Sequence, residues 1–152
     1  MSAIISVCGG AMSVGDAPTV FVLLNPSTAD ATLDDPTIRR CRSFAASWGN
    51  DGIIVANLYA LRSPDPAYLW KHPNPVGPEN DDHLYELSIS HGRIVCAWGA
   101  NAEIDRVCDV AKIFRDAGAK LFCLGVTRHG APRHPLYVRA DQPPLIEWIG
   151  PA

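Results

Sequence analysis

The segment Val20–Asp30, VFVLLNPSTAD, constrains the fold of this chain more than any other part of the sequence. A short apolar run without alternation is typical of a strand buried on both faces, as in a parallel sheet. The run stops at Asn25 and Pro26, so the polar residues from Asn25 to Asp30 are expected at the carboxyl edge of that strand, where open α/β sheets bind ligands. The same residues also suit an ordinary Asx or Ser/Thr turn, and the segment alone does not decide between the two.

Three more apolar runs repeat this pattern and alternate with helical stretches. The strands are expected at Ile53–Ala56, Ile94–Trp98 and Leu121–Leu124, and the helices at Pro36–Trp48, Pro78–Ser90 and Asn101–Ala117. This order predicts a single α/β domain over residues 1–152, a three-layer α/β/α structure around a central four-stranded, mostly parallel sheet. Residues 3–8 are expected as a short edge strand, and the tail Pro143–Ile149 as a short helix.

The third helix carries the clearest apolar stripe. Its predicted buried side consists of Ile104, Val107, Cys108, Ala111, Ile113 and Phe114. Residues at such spacings lie on one face of a helix, so this face is expected to pack on the sheet.

Composition narrows the classes of function. No apolar run reaches 18 residues, the first residues do not read as a signal peptide, and the five cysteines form no Cys-x-x-Cys pair. We therefore expect a cytoplasmic protein with reduced thiols, no membrane segment, no metal and no cofactor. Residues 112–139 hold six Lys or Arg and one acid, a net +5 in a chain of net −3, so the remainder carries −8. A locally basic face suits contact with phosphates, although ordinary solvated side chains explain the charge equally well.

The four predicted strands end in Asn25, in Asn57, in Trp98-Gly99 and in a loop that contains His129 and His134. If the strands are parallel, these residues meet at one edge. Two amides and an imidazole there could hydrogen-bond a flat polar ligand.

In order along nearly the full length, these motifs resemble those of the uracil-DNA glycosylase superfamily. Leu24-Asn25-Pro26-Ser27 is similar to the first motif in its Asn-Pro variant, and the Asn57 that closes IIVAN is similar to the pyrimidine-reading asparagine. Val95–Gly99 is similar to the LWG strand end, and Ala131–Tyr137 to the second catalytic motif, although Leu136-Tyr137 follows His134-Pro135 where the family has Ser-Pro. The chain also resembles an uncharacterised bacterial and phage family with LNPSTAD and HPLYL signatures.

The resemblance implies a uracil-DNA glycosylase-like fold and a monofunctional glycosylase that acts, as a monomer, on DNA containing uracil or a damaged base. It implies that Asn25 orients the attacking water, with Asp30 as a possible carboxylate substitute, and that His134 stabilises the leaving base. Asn57 would read the base, helped by Leu24 and by an aromatic wall. Phe44 is the leading candidate for that wall and Tyr59 and Trp98 are alternatives, although the helical register of Phe44 also suits a core position.

DNA recognition would use the basic loop and its neighbours. The expected contacts are Ser27, Thr28, Ser63, Arg128, Arg133 and Arg139 to the backbone, with Leu136 and Tyr137 inserted into the base stack. Phosphate contacts of this kind make binding sensitive to salt, and the inserted side chains would fill the space left by a flipped base.

Two other functions fit the same residues. An N-glycosidase or transferase acting on free nucleosides or nucleotides would use the Asn/His pocket without the inserted side chains or the basic rim. A non-catalytic base-binding or nucleic-acid-binding module would keep the fold and lose the water-activating group. The neutral Asn25, where other members have an Asp, is the feature that favours this last function.

Overall fold

A computed structural model describes residues 5–8, 18–26, 35–50, 52–61, 66–139, 145–148 and 150. Its six strands are β1 Ile5–Cys8, β2 Thr19–Leu23, β3 Gly52–Asn57, β4 Arg93–Cys96, β5 Lys120–Cys123 and β6 Ile146–Glu147. Its α-helices are α1 Pro36–Ser47, α2 Asn80–Ser90 and α3 Ile104–Asp116, and single 3₁₀ segments cover Pro66–Lys71 and Pro135–Tyr137. No helix in this part of the chain is both long and apolar enough to cross a membrane.

The strands form one sheet in the order β1-β3-β2-β4-β5-β6. The four inner strands are parallel, and β1 and β6 pair antiparallel at the two edges. The predicted mixed α/β fold with a mostly parallel sheet is confirmed, and β1 lies within the range expected for a short edge strand. Among the described residues, the sheet also contains β6, which was not predicted.

Helices cover both faces of the sheet because the strands are apolar on both. On one face α1 packs on alternate residues of the inner strands, such as Phe21, Val55 and Val95. On the other, α2 and α3 pack on the intervening residues, such as Val22, Ile54 and Cys96. Asp35 starts α1, since its carboxylate accepts hydrogen bonds from the backbone N–H groups of Thr37 at 2.8 Å and Ile38 at 3.3 Å.

Two expectations about the C-terminal half are wrong. The tail forms a strand rather than a helix within its described residues, because the open edge of β5 offers backbone partners: Cys123 pairs with Ile146, and the Trp148 N–H donates to the Leu121 carbonyl at 3.0 Å. On α3, the buried residues are Arg106, Val107, Val110, Ala111 and Phe114. The helix is thus rotated from the predicted stripe, leaving Ile104 60% exposed and Cys108 at the surface.

Candidate functional site

The topology of the sheet reverses between the carboxyl ends of β2 and β4. The chain leaves β2 towards α1 on one face and leaves β4 towards α3 on the other, and β2 and β4 are neighbours. In doubly wound sheets such a reversal opens a crevice in which ligands bind. The residues that follow β2, β3, β4 and β5 therefore define the candidate site.

Asn25 follows β2 and is half-buried. Its amide nitrogen donates to the Leu61 carbonyl and to the Pro26 carbonyl, each at 3.1 Å. The neighbouring backbone extends the sheet, because the N–H groups of Leu58 and Tyr59 donate to the carbonyls of Leu23 and Leu24 at 2.9 Å. These bonds fix the turn after β2 against the chain that follows β3.

Asn57 is the last residue of β3 and is buried beside Leu23 of β2. Side chains alternate along a strand, so that of Asn57 lies on the same face as Ile53 and Val55, the face that α1 covers. Its backbone is held from the opposite face. Asn80 of α2 donates from its amide nitrogen to the Asn57 carbonyl at 2.9 Å and to the Leu58 carbonyl at 3.1 Å.

Arg106 of α3 completes this attachment and was not singled out by the sequence analysis. Only 7% of the residue is exposed. Its Nε donates to the Leu58 carbonyl at 2.9 Å, and its Nη1 lies 2.7 Å from an Oδ1 of Asp81, whose side chain is about half exposed. In the sequence, Arg106 is marked only by its position directly before Val107, on a helix face that is otherwise apolar.

The loop after β5 brings His134 back to the end of β4. The Arg133 N–H donates to the Gly125 carbonyl at 2.9 Å, and the Gly99 N–H donates to the Pro132 carbonyl at 3.0 Å. Gly99 has a φ of +81°, and a Cβ there would lie 3.3 Å from the Cβ of His134. Glycine at this position therefore serves both the turn and the close approach of the imidazole-bearing loop.

The state of His134 follows from its surroundings. Its Nδ1 accepts a hydrogen bond from the Leu136 N–H at 3.2 Å, which assigns the ring proton of the neutral imidazole to Nε2. Burial lowers the pKa of His134 from its usual 6.5, and the carboxylate of Asp35 opposes that shift. At neutral pH His134 is thus an uncharged ring whose Nε2–H is a hydrogen-bond donor.

Five of the residues predicted to contact DNA lie on or directly after this loop. Arg128, Arg133 and Arg139 are exposed, as are Leu136 and Tyr137. Tyr137 is 81% exposed, with its ring centroid 5.8 Å from that of His134. A guanidinium–carbonyl hydrogen bond of 3.0 Å from Arg133 Nε to Val126 holds one of the three cations in place.

The structure places Leu24, Phe44 and Tyr59, which were predicted to contact a base, in the two core clusters on either side of the sheet. Phe44 is 1% exposed and stacks on Trp48 in the last turns of α1, which run back towards the amino-terminal ends of the strands. Leu24 and Tyr59 belong to the core under α2 and α3, on the face opposite Asn57. All three pack because their strand or helix register turns them into the sheet-to-helix interfaces. Trp98 is likewise buried, edge-on to Trp148.

Four predicted residues, Ser27, Thr28, Asp30 and Ser63, lie outside the described residues. Among those described, no group of three His, Cys, Asp or Glu could hold a metal ion. Burial raises the pKa of the Cys96 and Cys123 thiols on β4 and β5, which keeps them protonated and poorly nucleophilic.

Fold and site together define an α/β protein with an open, mostly parallel sheet and with polar side chains at its carboxyl edge, beside the topological switch point. A family model described as "Protein of unknown function (DUF1643)" matches residues 12–136, and the chain belongs to this family. Comparison with curated proteins and with solved structures gave no match.

Proposed function

We propose that this protein is a monofunctional DNA glycosylase with a uracil-DNA glycosylase-like fold, which removes uracil or a related deaminated or modified base in base excision repair. The observation that carries the proposal is the neutral His134, with its proton on Nε2, at the same sheet edge as Asn25 and Asn57. The resemblance of the strand-end motifs to those of the uracil-DNA glycosylase superfamily supports the same reaction.

His134 stabilises the departing base. Cleavage of the bond from C1′ to N1 of uracil leaves an oxocarbenium-like sugar and sends the bonding electron pair to the base, where negative charge develops on O2. A neutral imidazole protonated on Nε2 can donate that N–H to the oxygen and keeps its proton as the charge develops. One well-aimed donor of this type is worth about 3–4 kcal/mol of transition-state stabilisation.

Asn25 orients the water that attacks C1′. A carboxamide is neutral and accepts hydrogen bonds through its oxygen, so it positions the water without acting as a strong base. Asp30 is the alternative carboxylate for this step. The water adds to C1′ and loses a proton to solvent as the base anion departs, which balances the reaction.

Asn57 reads the base. An amide can donate to O4 of uracil and accept from N3–H, and the same orientation meets the amino group and the bare N3 of cytosine unfavourably. Discrimination of this kind is strong because a mismatched partner leaves buried polar groups unpaired.

Binding to DNA uses the loop that carries His134. Arg128, Arg133 and Arg139 contact phosphates, together with Ser27, Thr28 and Ser63. Tyr137 and Leu136 occupy the stack after the base has been flipped out, and the closeness of the Tyr137 ring to His134 supports this arrangement.

The test is a cleavage assay with labelled uracil-containing oligonucleotides, single- and double-stranded, followed by alkali to cut abasic sites. Strand scission by the wild-type protein, lost in His134→Ala and kept in His129→Ala on the same loop, is the expected result. Release of uracil from free nucleosides alone would instead assign the protein to the nucleoside N-glycosidases or transferases.

A non-catalytic base-binding or nucleic-acid-binding module is the second candidate, and the Asn25 amide favours it. Both of its hydrogen bonds described above serve the backbone, at Leu61 and Pro26, and the side chain has no charge with which to activate water. Salt-dependent binding of oligonucleotides without scission or base release is the outcome that this candidate predicts.

A further inference from the structure

We propose that Asn80 and Arg106 are positioning residues that set the discrimination of Asn57 between uracil and cytosine. The inference rests on the proposed base-reading function of Asn57. Neither side chain lies on the Asn57 side of the sheet, so they act on it through the backbone.

The carbonyl groups at the end of β3 accept hydrogen bonds from side chains of two helices. Within the described residues, the register of β1 against β3 runs from Gly52 to Val55. Beyond that point, the Asn57 and Leu58 carbonyls accept three hydrogen bonds from Asn80 and Arg106, at 2.9, 3.1 and 2.9 Å. Side chains from α2 and α3 thus hold the end of β3, and both lone pairs of the Leu58 oxygen are used.

Burial of these two polar side chains at the end of the sheet is unfavourable in free energy. A guanidinium and a carboxamide lose their hydration on burial, and Arg106 recovers part of that cost from Asp81 at the surface end of its side chain. Apolar residues of similar volume often stabilise such a site equally well or better. The buried donors therefore contribute fixed geometry at Asn57 and Leu58 more than they contribute net stability.

Fixed geometry matters here because recognition by Asn57 depends on direction. The backbone of Asn57 is held from the α2 and α3 side, whereas its side chain projects to the α1 face. A rotation of the Asn57–Leu58 peptide would displace the amide from the base edge and leave His134, which the loop after β5 supports, in place. A displacement of about 1 Å can cost roughly 100-fold in rate, so partial loosening is expected to cost about 10-fold.

The test is a double-mutant cycle on cleavage of uracil under single-turnover conditions. Asn80→Ala is expected to slow uracil cleavage about 10-fold in the wild-type background and less than about 2-fold in the Asn57→Ala background, since the residue to be positioned is then absent. The ratio of the rates on uracil and on cytosine at the same site should fall in parallel. Equal losses in both backgrounds, or an unchanged ratio, would overturn the proposal.

Arg106→Lys is the second variant, because it keeps the charge near Asp81 but changes the donor that reaches the Leu58 carbonyl. It is expected to reproduce the Asn80→Ala pattern with a smaller loss, and it serves in place of Asn80→Ala if that chain does not fold. Lys112→Gln on the exposed side of α3 is the matched control, since Lys112 pairs with Asp116 at the surface.

A readout without activity separates this inference from the proposed function. The side-chain amide signals of Asn57 in ¹⁵N-resolved NMR spectra are expected to shift and to exchange faster in Asn80→Ala and in Arg106→Lys, but not in Lys112→Gln. If the wild-type protein releases no base, the proposed function fails, and these spectra still test the positioning role of Asn80 and Arg106. Unchanged Asn57 signals would overturn the positioning role whether or not the protein is a glycosylase.

Discussion

The two arms of the candidate site are built in opposite ways. The end of β3, which carries Asn57, is held by buried side chains from two helices, Asn80 and Arg106. The loop 125–138, which carries His134, is held mainly by short-range bonds within itself, such as that from the Thr127 N–H to the Ala131 carbonyl at 2.8 Å.

The difference lies in how far each arm depends on the rest of the fold. The end of β3 is held by side-chain donors from α2 and α3, so its position depends on how those helices pack on the sheet. The loop contacts the body of the protein at a few points, which include the bond from the Gly99 N–H to Pro132 and a 2.6 Å bond from Arg40 Nη1 to the Val138 carbonyl. The loop therefore forms a local unit with fewer attachments to the rest of the fold than the arm that carries Asn57.

Removal of the His134 imidazole is expected to have the largest effect on the chemistry. His134→Ala should lower kcat about 100- to 1,000-fold, because the proposed donor to the leaving base is lost, and should change KM little. The measurement is single-turnover and steady-state cleavage of a uracil-containing oligonucleotide. His129→Ala, an exposed histidine on the same loop, is the control and should retain activity.

The opposite order of the rate losses in Asn25→Ala and His134→Ala would contradict the comparison between the two arms. If Asn25→Ala cost more than His134→Ala, activation of water rather than stabilisation of the leaving base would limit the rate. His134 would then be a structural residue of the loop.

Stability should respond most to changes at the end of β3. Arg106→Ala is expected to lower the free energy of unfolding by about 2–3 kcal/mol, since it removes a charged donor to the Leu58 carbonyl and leaves a cavity between α3 and the sheet. Thr127→Val removes a 3.1 Å bond from the Ala131 N–H in the loop and should cost about 0.5–1 kcal/mol. Urea titrations of both variants at neutral pH make the measurement.

Arg106→Met separates the contribution of side-chain volume to the free energy of unfolding from the contribution of hydrogen bonding. Because it fills the space without burying a charge, the free energy of unfolding should stay within about 1 kcal/mol of the wild type. A loss as large as that of Arg106→Ala would mean that the buried bonds contribute net stability, contrary to the reason given above for their presence.

The same difference explains what could be predicted from the sequence. Asn25, Asn57 and the loop with His134 could be placed at one edge because apolar runs fix the strands, and the residues that end them are local in sequence. Asn80 and Arg106 could not be found in this way, since their partners are 22 to 48 positions away and are backbone carbonyls that any residue supplies.

The differences between the predicted and the observed positions have a related cause. Phe44, Leu24 and Tyr59 carry the right chemistry for a base pocket, but whether an apolar side chain lines a pocket or a core depends on tertiary packing. The register of α3 failed for the same reason: Ile104 and Val110 are equally apolar, and contact with the sheet buries only Val110. The strand at Ile146–Glu147 forms because β5 leaves an edge open, which no local pattern in the tail encodes.

Asn25→Ala should have an intermediate effect, about 10-fold on the rate of cleavage. A neutral amide that orients water contributes the worth of roughly one hydrogen bond, about 1–1.5 kcal/mol. Single-turnover rates at saturating protein measure this effect without interference from binding. Loss of the Asn25 bond to Leu61 also loosens the turn after β2, so Asn25→Ser, which restores a small polar group but not the reach to Leu61, is the companion variant.

An unchanged rate in Asn25→Ala would move the activation of water to Asp30. Asp30→Asn would then be expected to abolish cleavage, and the paired measurement assigns the step to one residue or the other.

The smallest expected effect is a dependence of the free energy of unfolding on pH, which comes from the His134 imidazole. Burial lowers the pKa of His134 in the folded protein from the value of 6.5 expected for the unfolded chain. As the pH falls through 6.5, the unfolded chain takes up this proton before the folded protein does, so the contribution of the neutral ring to stability is complete above 6.5 and declines below it, down to the folded pKa. The difference in unfolding free energy between the wild type and His134→Gln should therefore be constant from about pH 7.5 to 8.5 and should shift against the wild type as the pH drops below about 6.5. Urea titrations at closely spaced pH values measure this difference.

If the two proteins lose stability in parallel, the ring of His134 is solvated as in the unfolded chain. The rigid arm at Asn57 would then face a loop with no desolvated donor, and the stabilisation of the leaving base proposed for His134 would lose its physical basis.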